Sequence, residues 1–469
     1  MRRISAWPAL LCMGLLLPEA HAAIYPGVGA CSTTLQACVD AAASGDTIEL
    51  ATNTPINEIV TITRDLTLTA AAGFEPVVDM VIAMAANDNV RVTVTHMTGA
   101  TRLLGFLDGG GGNLDFLASN NRLEGCQSSA VSLRSNTTGG PYGRAWGYFN
   151  FNTLTQTGTD CAPAISVSGQ GNTADFGATI GNNTIVANGL GQNSAVELYA
   201  ANAGNFGARV DHNTIRGTNF NTGIELRSQR AGTQATAYIL NNLITGQTSV
   251  SGGPGALSIY ASAGAINATV LFNTLVFNNT GLNAGARTDQ GGSLTGVLAN
   301  NVFAHHTQYA FGLGSEIPGF AEDHNLVWDS PLPPGVRPLG AHTRLGDPAF
   351  VDPETGNFRL LATSAAIDNG NAAYATGVAT VTLDLDNQNR AVREVDMGAY
   401  EFQGVPVVPP VVPPAGPPGS GTHAIPVLGA PALAFTSLLA GAWGALHLRR
   451  RRHTQPCATC PTTHSRGES

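Results

Sequence analysis

An Asn, one intervening residue and an apolar residue recur at almost constant spacing through the middle of the chain. The Asn positions are Asn121, Asn152, Asn183, Asn213, Asn242, Asn273, Asn301 and Asn325, separated by 31, 31, 30, 29, 31, 28 and 24 residues. Asn89, 32 residues upstream, reads as a ninth. A second element keeps the same period: Ala130-Val-Ser-Leu, Ala164-Ile-Ser-Val, Ala195-Val-Glu-Leu, Gly223-Ile-Glu-Leu and Ala256-Leu-Ser-Ile. Its alternation of apolar and variable residues is that of a strand with one buried face. A third short apolar segment runs into each Asn, as at Ala178-Thr-Ile and Ala237-Tyr-Ile-Leu.

Each unit is therefore two or three short strands with an Asn at one corner. No unit of about 30 residues can bury its apolar face alone. Stacking solves this, because each strand then pairs with its equivalents roughly 4.8 Å above and below. Asn tolerates left-handed backbone geometry, and a column of Asn amides can bond along the stacking axis. The expected fold is all-β, a right-handed parallel β-helix. A β-propeller would need units of roughly 40 to 50 residues with four strands each.

The ends of the repeat agree with this. Thr33 to Ala43 reads as a short amphipathic helix with apolar Leu35, Cys38, Val39 and Ala42, suited to capping the open first coil. Strands are expected at Thr47 to Leu50, Ile59 to Ile62 and Leu66 to Thr69.

Composition narrows the function classes. Only 12% of residues are charged, and all 23 basic residues are Arg, so lysine nucleophiles, Schiff bases and P-loop chemistry are absent. Residues 24–423 hold 16 Arg against 30 acidic residues, a net charge of −14. Such a surface repels a nucleic-acid backbone.

Residues 1–22 have the layout of a secretory signal peptide: two Arg, an apolar run from Ala9 to Leu17, then Ala20-His21-Ala22 before the expected cut. Residues 23–403 form the expected β-helix domain, and 404–424 a Pro-rich, semi-rigid linker. Leu428 to Leu448 runs 21 residues without Asp, Glu, Lys or Arg, enough to cross a bilayer. Arg449 to Arg452 follow and should hold the tail, 453–469, in the cytoplasm. Four cysteines fall on the oxidising side: Cys31, Cys38, Cys126 and Cys161. They allow three pairings, of which Cys31 with Cys38 and Cys126 with Cys161 is the local choice.

Three strings near the end of the β-helix, Asp347-Pro-Ala-Phe-Val-Asp-Pro, Ser364-Ala-Ala-Ile-Asp-Asn-Gly-Asn and Asp396-Met-Gly-Ala-Tyr-Glu-Phe, resemble the terminal region of choice-of-anchor Q domain surface proteins, about residues 340–403 here. The opening, with its helix before Gly45-Asp46, looks like that of pectate-lyase-like β-helices. Residues 425–452, with Ile425-Pro426-Val427-Leu428 ahead of the span, resemble an IPTL-type sorting tail of Gram-negative bacteria, Val427 replacing that family's Thr. These resemblances imply export, display at the cell surface, and a membrane protease that processes the tail. They imply no particular reaction. Calcium-bound lyases of this fold need clustered Asp and a basic residue, and polygalacturonases need three grouped Asp. Neither set stands on adjacent units here.

The fold hosts enzymes and binding proteins alike, so function has to come from a site. The variable position of the second element reads Ser132, Ser166, Glu197, Glu225 and Ser258 and should point outward. Aligning the units puts Glu197 beside Glu225, Tyr199 beside Arg227, and Tyr260 next in that column. Two carboxylates one coil apart approach the separation of about 5 Å used by retaining glycosidases, with one pKa raised by the other. Glu197, Glu225 and Arg227 are then the catalytic candidates, with Tyr199 and Tyr260 as sugar-stacking platforms. The competing reading is a display surface for a polysaccharide or cell-surface glycan, in which Arg227 neutralises stacked Glu. Asp211-His212 ahead of Asn213 reads as a polar turn, and His305-His306 lacks a third metal ligand. No cofactor is required; Asp384 and Asp386, alternating with other oxygen donors, are the one candidate for Ca²⁺.

Overall fold

The structure, a computed structural model, describes residues 21–136, 142–189, 193–202, 204–218, 220–247, 255–333, 337–378, 381–390 and 392–404. The expected signal peptide up to residue 20, the linker beyond Gly404, the apolar span and the tail lie outside these residues. Among the described residues no helix is long and apolar enough to cross a membrane.

The chain winds into a parallel β-helix whose strands stack in three columns. The first column runs from Ile56–Ile62 through Ile165–Gly171 and Ser194–Asn202 to Tyr309–Leu313. The second begins at Ala22–Tyr25 and ends at Phe320–Asp323. The third has ten short strands, from Thr98–Gly99 to Arg344–Leu345, each starting just after a corner. Two long strands, Thr222–Leu240 and Gly255–Leu271, serve the first and second columns without a break.

Strand alternation produces the core. Val196, Leu198 and Ala200 point inward and are fully buried, and their equivalents on neighbouring coils stack beneath them. Aromatic residues fill the wider parts: Phe116 meets Phe149 edge-on at 5.8 Å, and Phe176 stacks on Phe206 at 6.2 Å. Each such side chain contributes on the order of 2 kcal/mol by leaving water.

The eight Asn form one continuous buried ladder at the corner between the second and third columns. Each of the first seven donates both its backbone N–H and its side-chain amide to Oδ1 of the next, as Asn183 does to Asn213 at 3.0 and 2.9 Å. Their amides also cap carbonyls that end strands of the second column, such as Ile180 O for Asn213. Two expectations are corrected here. The left-handed residue is not the ladder Asn but the one before it: Asn120, Phe151, Asn182, His212, Asn241, Phe272, Asn300 and His324 all have φ between 50° and 58°. The ladder Asn is selected for its amide, which a buried corner needs to satisfy strand ends. Asn89 is also not a ninth rung, because it bonds Asn113 instead. The ladder starts at Met97, whose backbone N–H donates to Asn121 Oδ1.

The N-terminal helix spans Leu35–Ala41, shorter than expected because Thr34 caps it by accepting from Ala37 N. It covers the edge strand Ile56–Ile62 through specific bonds. The Gln36 amide takes both Thr61 N–H and Thr61 O, and Glu58 accepts the N–H groups of Leu35 and Gln36. The helix thereby occupies part of an edge that would otherwise be a template for association.

At the other end the chain stops coiling and folds back over the late coils. Phe350, Phe358, Leu360, Ile367, Met397 and Tyr400 bury Leu243, Val276, Val302 and Leu326 of the third column. This strap includes one antiparallel hairpin, Phe350–Asp352 with Asn357–Leu360.

Candidate functional site

The outer face of the first column carries the carboxylates. In register, Glu197 stands opposite Glu225, Tyr199 opposite Arg227, and Arg227 opposite Tyr260. The same column continues upward to Ser166 and downward to Ser258 and Asn283. The expected outward position is less open than alternation alone implies: Ser132, Ser166 and Ser258 are buried, and Glu225 keeps 9% of its surface exposed.

Hydroxyls one coil back serve both carboxylates. Ser166 Oγ donates to Glu197 Oε2 at 2.9 Å, and Ser194 Oγ donates to Glu225 Oε2 at 2.6 Å. The Arg227 guanidinium takes the other oxygen, Glu225 Oε1. Both oxygens of Glu225 are thus engaged, which is the arrangement of a held charge rather than a free nucleophile. Tyr199 leans across to Gln229, donating its hydroxyl to Oε1 at 2.7 Å. Glu225, Arg227, Gln229, Ser258, Tyr260, Ser262 and Asn283 line a shallow depression of about 320 Å³. Glu197 is not part of that lining. Tyr260 is the exposed aromatic there, at 38%.

Asp384 and Asp386, the calcium candidates, face N–H donors. Asp384 accepts from the backbone of Asp386, Gln388 and Glu401, and Asp386 holds the Arg359 guanidinium through two bonds. They organise a turn within the strap. Around them lies a buried charged knot. Burial pushes the Glu401 carboxyl up to about 8, with the neighbouring Asp396 adding to the effect, and burial raises Asp396 to about 6. Arg390, fully buried, donates to Asn241 Oδ1 at 2.8 Å and Gly398 O at 2.9 Å, and lies over the Phe272 ring at 4.4 Å.

The His pairs separate in space. His305 reaches Asp329 at 2.8 Å on the outside, whereas His306 is buried and pushed down to about 4 by that burial. Asp211 bonds Arg209 and His212. Burial alone would raise its carboxyl, but these two partners outweigh it and hold the carboxyl below its usual range. A cluster missed from the sequence is Asp323, His324 and His342, with side-chain donor atoms within 4.8 Å of one another. The triplet Asp-His-Asn at residues 323–325 repeats the one at 211–213, and that repetition was the available signal.

The cysteines pair as Cys31 with Cys38, beside the capping helix, and Cys126 with Cys161, across neighbouring coils. Comparison with known proteins found no family model that matches the chain and no curated protein that matches it.

Proposed function

We propose that the chain is an exported surface protein of the choice-of-anchor Q kind, carried to the envelope by its signal peptide and IPTL-type tail, whose β-helix binds glycans along the outer face of its first column. The observation that carries the reading is the depression around Tyr260. An exposed aromatic ring sits among Arg227, Gln229, Ser258 and Asn283, which offer donors and acceptors to sugar hydroxyls. Shallow, open and polar, it suits recognition of a segment of polysaccharide lying across the coils.

The rival role, hydrolysis by Glu197 and Glu225, is less well supported because both Glu225 oxygens are occupied by Ser194 and Arg227. A glycan-binding screen of the purified protein beside Tyr260→Ala and Glu225→Gln separates the two. Loss of binding on Tyr260→Ala with no turnover by any variant supports recognition. Turnover that disappears in Glu225→Gln replaces it with the hydrolase reading, and binding that neither change alters removes both.

A further inference from the structure

We infer that Asp323, His324 and His342 form a binding site for one Zn²⁺ ion that ties the last coils together at their corner. The argument starts in the ladder. Asn325 is its final described rung, and the two residues before it, Asp323 and His324, end the second column. The corner gives His324 a φ of 50°. Beyond the corner the chain makes one further turn through Leu326–Trp328, and His342 arrives just ahead of the last third-column strand, Arg344–Leu345.

The returning backbone is held closely in place. Gly340 N–H donates to Glu322 Oε2 at 2.6 Å, Thr343 Oγ1 bonds Glu322 Oε1 and accepts from Asn325 N, and His342 N–H donates to Asp323 Oδ1 at 2.8 Å. Gly340 is required at this crossing, since a Cβ there would sit 2.3 Å from Glu322 O. His342 is therefore positioned by backbone bonds and not by its ring alone.

Three donor atoms converge. His342 Nδ1 lies 2.9 Å and His324 Nδ1 3.1 Å from Asp323 Oδ2, and the two imidazole rings are 4.4 Å apart, 27° from parallel. Ligands about 2.0 to 2.1 Å from a tetrahedral ion stand roughly 3.3 Å from one another, so these separations are near those a zinc polyhedron needs. Hydrogen bonds join His342 Nδ1 and the Tyr374 hydroxyl to Asp323 Oδ2 and leave His324 out. His324 Nδ1 is buried and has no hydrogen-bond partner despite its closeness to the carboxylate. A buried nitrogen without a hydrogen bond, facing a carboxylate and a second imidazole, is a donor that a metal ion would satisfy.

The donor set selects the ion. Two imidazoles and one carboxylate suit Zn²⁺ and its borderline neighbours, whereas Ca²⁺ and Mg²⁺ want six or more oxygens. Tyr374 donates its hydroxyl to Asp323 Oδ2 at 3.2 Å and packs edge-on to His324, orienting the carboxylate as outer partners of metal ligands do. His342 is 62% exposed, leaving a fourth position open to water. Since Asp323 and His324 stand at one corner and His342 at the next, just ahead of Arg344–Leu345, the ion would join successive coils, with Tyr374 of the strap beside them.

The test uses metal-stripped full-length protein without a polyhistidine tag, titrated with ZnCl2 and then with CoCl2. One Zn²⁺ per chain is expected, undisturbed by excess Ca²⁺ or Mg²⁺, with cobalt giving the visible bands of a tetrahedral N/O site. His342→Ala, on an exposed side chain, should weaken binding by at least about tenfold. His324→Asn should do the same, and Asn occupies the equivalent left-handed position at Asn182, Asn241 and Asn300. Absence of stoichiometric binding by the folded protein overturns the inference. So does binding that survives both substitutions unchanged, which would assign the ion to other groups.

Discussion

The corner between the second and third columns is built the same way throughout the ladder, yet its outer surface differs between early and late coils. At the left-handed position, Asn120 and Phe151 face solvent, Phe151 at 60%, while Asn241, Phe272 and Asn300 are completely buried. One step into the third column the register runs Arg122, Thr153, Thr184, Thr214, then Leu243, Thr274, Val302, Leu326. The first four are exposed or half-buried and polar; the last four are buried and mostly apolar. The change coincides with the strap. Asn241 takes Arg390 and Leu383 O, Phe272 takes the Arg390 guanidinium, and Asn300 exchanges two bonds with Asn371. The comparison teaches that the inner rung is set by the solenoid and the outer residue by what lies over it.

The largest expected effect tests the part common to both regions. Asn213→Leu leaves the Asn183 N–H and side-chain amide without their acceptor inside the corner. Two unmet buried donors should cost about 4 kcal/mol, read as a lowered denaturation midpoint. A cost near zero would mean the ladder is incidental to stability.

Next comes the outer position itself. Phe272→Ala should cost about 3 kcal/mol through the cavity and the lost Arg390 contact, while Phe151→Ala should stay within roughly 0.5 kcal/mol. The paired denaturation curves settle the comparison, and equal effects would break it.

The smallest effect concerns pH. A carboxyl raised from 4.5 to about 8 in the folded state, as at Glu401, lends stability that is complete below 4.5 and lost as pH climbs through 8. Asp396 acts in the same direction. His306, pushed down to about 4, acts oppositely, its contribution being complete above 6.5 and lost as pH falls. The difference between wild type and Glu401→Gln isolates the knot. Protection of the strap amides against hydrogen exchange should fall between pH 5 and 8 in wild type and not in the variant. Parallel profiles for the two proteins would remove Glu401 from the account.

Much of the solenoid was legible. The pairing of Glu197 with Glu225 and of Arg227 with Tyr260 follows from the repeat, because in-register parallel stacking turns a spacing of about 30 residues into vertical adjacency. The occupied state of Glu225 was not legible. Ser194, its partner, sits three residues before Glu197 on the previous coil, and no alternation pattern points to it. The left-handed residue was assigned one place too late, since Asn is common at both positions and its two uses leave the same letter in the sequence.

What the sequence determined by itself was the coil: its period, its Asn corner and the neighbours that aligned side chains meet one turn away. These follow from short-range alternation and a repeated polar rung, both of which are local properties. Only the tertiary structure decided where the strap lies, which outer residues it buries, and that His342 meets Asp323 and His324. Asn241 and Arg390 are 149 residues apart, and no period links them. Such contacts are chosen by matching buried surfaces and unmet polar groups once the solenoid exists, so they carry no rhythm that could be read in advance.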